Sequence, residues 1–205
     1  QAFAFCRRYV GGNKEDAAKL LKKIENGEDA PTAPLIACMP LLMARETLKK
    51  QRLEIEKHLS KQAKLLPVAL WVESVRGVGL LSLAALVGEC GDLGRFRTVS
   101  CLWKRMGLAV VGDQRQRRVA GVDALEHGYS PSRRSVAWNI GTAMMRAMKS
   151  EDPYKIFYEK EKAKQLQKEG ITKGHAHNRA VRHMTKRFLA DLYGQWTGKP
   201  RPIEV

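Results

Sequence analysis

The most apolar helix that the sequence predicts follows a turn containing two glycines. Leu80–Glu89 is apolar on nearly all sides, which is typical of a helix buried by other elements. Arg76, Gly77 and Gly79 belong to the turn that joins it to a shorter preceding helix, and Gly91 is placed to end it. The stretch therefore predicts a helix-hairpin-helix within an all-α fold.

Such a hairpin offers backbone N–H groups at the start of its second helix. These groups have no partner within the helix and lie at the positive end of its dipole, so an anionic oxygen can dock there. A nucleic-acid phosphate fits that description, and Arg76, Gly77 and Gly79 are the predicted contacts. The alternative is an ordinary buried hairpin whose glycines only make the turn. A Gly-x-Gly sequence is too common to decide between the two.

The high net positive charge favours an anionic binding partner. The 205 residues carry a formal charge of +16 and have a pI near 9.9, which attracts polyanions, and nucleic acid is the commonest of these. A membrane surface or an acidic protein is the alternative. No stretch of eighteen apolar residues predicts a membrane span, so we expect DNA or structured RNA as partner and no membrane.

The four cysteines are scattered without Cys-x-x-Cys spacing. This pattern argues against a zinc ribbon and against a secreted disulfide framework, so a reducing, cytoplasmic location is expected. The first residues lack the order of a signal peptide, and the chain does not begin with Met. We therefore expect a fragment or a processed product.

Three segments are predicted along the chain. Residues 1–66 form a linker and a long helical arm, residues 67–198 form the hairpin-containing domain, and residues 199–205 form a tail. Within the arm, apolar residues recur at helical spacing over residues 35–66, so a coiled coil that joins copies of the chain is one prediction. Gln51 and Gln62 interrupt that seam, and a helix packed on its own chain is the alternative.

Two basic regions follow the hairpin. Residues 109–134 lack a sustained period and predict a loop or short hairpin containing Arg115, Arg117 and Arg118, with Arg133 and Arg134 at its end. Charged irregular segments of this length are often functional or disordered. We expect these five arginines to contact nucleic acid.

The last amphipathic helix begins in a basic segment rich in histidine. Free N–H groups at Lys173, Gly174 and His175, flanked by Arg179 and Arg182, predict a second phosphate site. A solvated helix start is the alternative. The three histidines of the segment have no Cys or carboxylate ligand nearby in sequence, so no metal site is predicted.

The order of these segments resembles the C-terminal transposase domain of the insertion-sequence family that includes Piv-type invertases and bridge-RNA-guided recombinases. The resemblance covers residues 72–196. It is carried, in order, by SVRGVGLLSLAALVGECGDLGRF, LWKRMGLA, GYSPSRRSVAWNIG, DPYKIFYEK and HNRAVRHMTKRFLADLY.

This resemblance implies DNA recombination by a serine that forms a covalent DNA link, assisted by a structured RNA and by a separate RNase H-like acidic domain. A divalent metal is implied only for that domain, which residues 1–60 do not resemble, and no cofactor is expected on this chain. Ala120 stands where the family has its serine, so Ser130 and Ser132 become the catalytic candidates. The alternatives are a non-catalytic module of a ribonucleoprotein and a helical protein that binds acidic partners.

Overall fold

The described part of the protein is mostly helical. The computed structural model describes residues 1–121 and 123–199; the predicted tail, except Lys199, lies outside them. Helix accounts for 71% of the structure and strand for 2%, which confirms the all-α prediction. The helices are α1 Ala2–Tyr9, α2 Lys14–Asn26, α3 Thr32–Ala63, α4 Ala69–Ser74, α5 Leu80–Cys90, α6 Val99–Arg105, α7 Asp123–His127, α8 Pro131–Ala147, α9 Pro153–Leu166 and α10 Lys173–Trp196; a 3₁₀ turn spans Leu93–Arg95, and the strands are β1 Val110–Val111 and β2 Gln114–Arg115.

The N-terminal unit, Gln1–His58, has a small core of its own. Helix α2 begins where Asn13 caps it, because the Asn13 side chain accepts a hydrogen bond of 2.9 Å from the Glu15 N–H. It ends at Gly27, whose φ of 71° is the left-handed conformation that glycine adopts readily. The buried apolar residues of this unit are Cys6, Ala17, Leu20, Ile24, Cys38 and Leu42.

Helix α3 is the long helix predicted over residues 35–66. Pro40 lies inside it and removes one backbone N–H donor from its hydrogen-bond ladder. Several of its large apolar side chains are exposed, among them Met43, Leu48 and Ile55. Pairing with another copy of the chain through residues 35–66 stays a prediction, as does the predicted boundary at residue 66. The boundary between the two compact units falls within α3, between His58 and Leu59.

The second unit, which begins at Leu59, is built around α10. This helix packs against α6, α8 and α9, while α5 packs against α8. The largest fully buried side chains of this core are Leu83, Leu86, Leu93, Leu102, Met106, Leu108, Met144, Met184, Phe188, Leu189 and Leu192. Because α10 carries buried residues along its length, it fixes the positions of the elements around it.

Gly77 is packed closely against α8. Its φ is +83°, and a Cβ added there would lie 2.6 Å from the Ala143 carbonyl oxygen and 2.7 Å from Met144 Cα. Only glycine fits such an approach without a shift of the backbone. Gly79 has no atom within 4 Å of an added Cβ. Gly77 is therefore needed for the turn and its packing, as expected of an ordinary buried hairpin. The space around Gly79 is open.

The described cysteines differ in their expected reactivity. Cys101 is exposed, and its hydrogen bond with the Thr98 hydroxyl lowers its pKa. Burial raises the pKa of Cys6 and of Cys90 to about 11. Because the thiolate is the reactive form, iodoacetamide at mildly alkaline pH is expected to alkylate Cys101 first. Peptide mass spectrometry over time measures this order, and faster labelling of Cys6 or Cys90 would contradict it.

Among the described residues, no helix combines the length and the apolar character needed to cross a lipid bilayer.

Candidate nucleic-acid interface

A cleft of about 1000 Å³ opens in the second unit between α8, α10 and the β1–β2 hairpin. Gln165 and Lys168, at the end of α9 and just after it, line another side of the cleft. The cleft is lined by Val110, Asp113, Arg115, Tyr129, Pro131, Arg134, Ser135, Trp138, Asn139, Gln165, Lys168, His175, Asn178, Arg179, Arg182 and His183.

Helical spacing explains why the two helices present these side chains together. On α8, Arg134 and Trp138 are four residues apart and therefore lie on one face. On α10, His175, Arg179 and Arg182 follow at spacings of four and three, so they also share a face. Five of the thirteen predicted nucleic-acid contacts lie in this cleft: Arg115, Arg134, His175, Arg179 and Arg182.

The hairpin that carries Arg115 is held by a buried glutamine. Gln116 is only 1% exposed, and its side-chain amide donates to the Lys104 and His127 carbonyls. Its side-chain oxygen accepts a hydrogen bond of 3.1 Å from the Ala109 N–H. Since Gln116 follows Arg115 directly, these bonds fix the edge of the cleft from which Arg115 extends.

Arg182 ties α10 to the start of the hairpin. One of its terminal nitrogens, Nη2, donates to the Leu108 carbonyl at 2.7 Å and to the Ala109 carbonyl at 2.9 Å. Its Nε is buried without a hydrogen-bond partner in the described structure. Burial, and next the charge of Arg115, lower the pKa of Arg182. A buried cationic donor of this kind is stabilised when an anion reaches it.

Arg134 is the most deeply buried cation of the cleft. Its side chain is 9% exposed, and its aliphatic carbons lie against Gly107, where an added Cβ would be 3.3 Å from Arg134 Cβ. Burial, and next the charges of Arg115 and Arg182, lower its pKa to about 10. The guanidinium stays charged at neutral pH, so its burial beside two other cations is unfavourable, and an anionic partner would offset that cost.

The charges of the cleft are unbalanced. Arg115, Arg134, Arg179, Arg182 and Lys168 are cationic, whereas Asp113 is the one carboxylate among the described lining residues. The side chain of Arg179 donates to the Gln165 side-chain oxygen at 3.3 Å, which is a neutral partner. Chemically, the cleft can hold several anionic oxygens through guanidinium groups.

Other predicted contacts pair with carboxylates of this chain. Arg76 lies 3.7 Å from Asp152, and Arg133 lies 3.5 Å from Glu89. Neither arginine lines the cleft. An arginine that already faces a carboxylate gains less from a phosphate, because binding must first replace that partner.

The predicted serine candidates have structural partners. Ser130 caps α8, with its hydroxyl oxygen accepting from the Arg133 N–H at 3.5 Å. The Ser132 hydroxyl donates to a carboxylate oxygen of Glu89. Neither serine lines the cleft, and Ala120 is exposed after β2. Catalysis by Ser130 or Ser132 stays a prediction.

The remaining predicted contacts are exposed and lie outside the cleft lining. They are Gly79 before α5, Arg117 and Arg118 after β2, and Lys173 and Gly174 at the start of α10. The start of α10 is capped by Thr172, whose hydroxyl accepts from the His175 N–H at 3.2 Å. Their contact with nucleic acid stays a prediction.

Two histidines of α10 each form a hydrogen bond with a different side chain of α9. His177 forms a hydrogen bond of 2.7 Å with the Tyr158 hydroxyl, and His183 forms one of 2.7 Å with Glu161. Within residues 1–121 and 123–199, no cluster of three or more His, Cys, Asp or Glu side chains is arranged to hold a metal.

Sequence reasoning missed several lining residues. Lys168, Trp138, Asn139, Asn178 and Gln165 were not predicted as contacts, yet all of them lie in the cleft. A signal existed for Trp138, which is four residues after Arg134 and therefore on its face of α8. Gln165 had no such signal, because only the packing of α9 on α10 brings it near Arg179.

Comparison with protein-family models, with curated proteins and with solved structures found no match.

Proposed function

We propose that this chain binds nucleic acid in the cleft between α8, α10 and the hairpin. The observation that carries the proposal is the buried guanidinium of Arg134 beside Arg115 and Arg182. Three adjacent positive charges in a partly desolvated site repel one another, so an unliganded cleft costs stability. A phosphate removes that cost by forming charge-assisted hydrogen bonds.

The size of the cleft favours a polymer over a single small anion. Its volume of about 1000 Å³ is at the upper end of the range for small-molecule pockets. Arg179 and Lys168 add cations beyond the buried group. The chain as a whole carries +16, which steers polyanions toward it at long range.

The role of that binding is proposed from the resemblance to insertion-sequence transposases. In that account the chain is part of a recombinase acting in DNA transposition, with DNA and a structured RNA as partners. A non-catalytic ribonucleoprotein module is the second candidate. It is favoured by the partners of the candidate serines, since Ser130 caps α8 and Ser132 bonds Glu89. A cytoplasmic location is proposed with either role.

A salt series with labelled single-stranded DNA, duplex DNA and structured RNA tests the binding. Arg115→Gln and Arg179→Gln are each expected to weaken binding and to lower the slope of log affinity against log salt by about 1, because each removes a phosphate contact. Arg146→Gln is the matched control, since Arg146 is exposed on α8 outside the cleft lining.

Absence of binding to all three probes at low salt would overturn the proposal. An effect of Arg146→Gln equal to that of the two cleft variants would also contradict it, because binding would then depend on total charge and not on the cleft.

A further inference from the structure

Trp138 places an aromatic ring beside the buried arginines. It is 39% exposed and lines the cleft, and it is the one exposed tryptophan of the four in the chain. Residues four apart on a helix have Cβ atoms about 5–6 Å apart, so Trp138 neighbours Arg134. If the anionic group of a ligand binds Arg134, the chemical group next to it in the ligand lies beside the Trp138 ring.

Two amides complete this part of the cleft. Asn139 follows Trp138 on α8, and Asn178 lies on the facing side of α10; both are exposed and both line the cleft. An amide side chain offers two donors and an acceptor, which match the edge of a nucleobase. The cleft thus combines cations for a phosphate, a ring for a base face and amides for a base edge.

Building on the proposed nucleic-acid binding, we infer that the cleft takes a single strand, with an unpaired base stacked on Trp138 and its phosphate at Arg134 and Arg182. In a duplex each base face is covered by its neighbours, so Trp138 would have no base to stack on. Arg134 is 9% exposed, and a flexible strand can enter to reach it whereas a rigid duplex meets the exposed Arg115 and Arg179 first.

The test compares three labelled probes of equal length: oligothymidine, an abasic strand that keeps the phosphates but lacks bases, and a blunt duplex. Trp138→Ala is expected to weaken oligothymidine binding about tenfold, because stacking on an aromatic side chain contributes substantially per base. It is expected to leave the abasic strand unchanged. Trp138→Phe keeps a ring and should retain most of the affinity. Leu70→Ala is the control, since Leu70 is 84% exposed and lies outside the cleft.

The outcomes distinguish a failure of the single-strand inference from a failure of the proposed nucleic-acid binding. Binding of wild-type protein that favours the duplex, or that Trp138→Ala leaves unchanged for oligothymidine, would overturn the single-strand inference and leave nucleic-acid binding standing. An equal loss on the abasic strand would overturn stacking. Absence of binding to every probe would overturn both. Circular dichroism of Trp138→Ala and Trp138→Phe checks that each variant keeps the helical fold.

Discussion

Arg134→Met is expected to stabilise the protein while weakening nucleic-acid binding. Methionine keeps the unbranched stem that packs against Gly107 and removes a buried charge, so the free energy of unfolding should rise by about 1 kcal/mol. That gain corresponds to a melting temperature higher by about 2–4 °C. Loss of a charge-assisted hydrogen bond to phosphate should weaken binding at least about tenfold.

The lowered pKa of Arg134 determines how the stabilisation by Arg134→Met depends on pH. A folded-state pKa of about 10, below the usual value for arginine, means that the folded state holds the charged form less favourably than the unfolded state does. The cost is complete below that pKa and fades as the pH rises above it. The stability difference between Arg134→Met and wild type should therefore be constant around neutral pH and shrink in strong alkali.

Thermal unfolding with and without an oligonucleotide measures both effects of Arg134→Met. Arg146→Met is the control, because Arg146 is exposed on the same helix and its loss should leave the melting temperature nearly unchanged. Stabilisation without weaker binding would remove Arg134 from the interface. Destabilisation of Arg134→Met would show that the guanidinium is already satisfied in the folded protein.

Gly77→Ala is expected to cause the largest loss of stability. The positive φ of Gly77 alone costs an alanine about 1–2 kcal/mol. The new methyl group would also meet the backbone of α8 at Ala143 and Met144, and backbone cannot move away as a side chain can. Together these effects should cost about 3 kcal/mol or more, which urea unfolding measures as a lower midpoint at an unchanged slope.

Gly79→Ala is the matched control in the same turn. Gly79 has an extended φ of −112° and open space around its Cβ position, so alanine there should cost less than about 1 kcal/mol. Equal losses for the two variants would contradict the close approach of Gly77 to α8.

Local patterns predicted the arm helix, the two helices of the hairpin and the last helix, because their signals lie within short stretches. The start of α2 follows from the Asn13 cap, and the end of α5 at Cys90 follows from Gly91, whose φ is 76°. The first helix, Ala2–Tyr9, was not predicted, because its sequence shows an aromatic start and no cap. The last helix begins at Lys173, where the sequence also predicted a helix start.

The candidate site was predicted only in part, because it depends on which faces of separate helices meet. The basic segments of the sequence indicated Arg115, Arg134 and Arg182 as contacts without showing that they are neighbours or that Arg134 is buried. Sequence reasoning also included Arg76 and Arg133, whose carboxylate partners come from distant parts of the chain. Sequence composition indicates whether the net charge of a surface is positive or negative. Tertiary packing decides which charged side chains remain without a counterion.

Photochemical crosslinking identifies the residues that a bound single strand touches. A single strand carrying 5-iodouracil is bound to the protein, irradiated and digested, and the crosslinked peptides are identified by mass spectrometry. We expect adducts on cleft residues, chiefly Trp138, Tyr129 and His175, that are lost in Arg134→Met at matched protein concentration. Adducts confined to residues 1–58 or to the turn between α4 and α5 would contradict it.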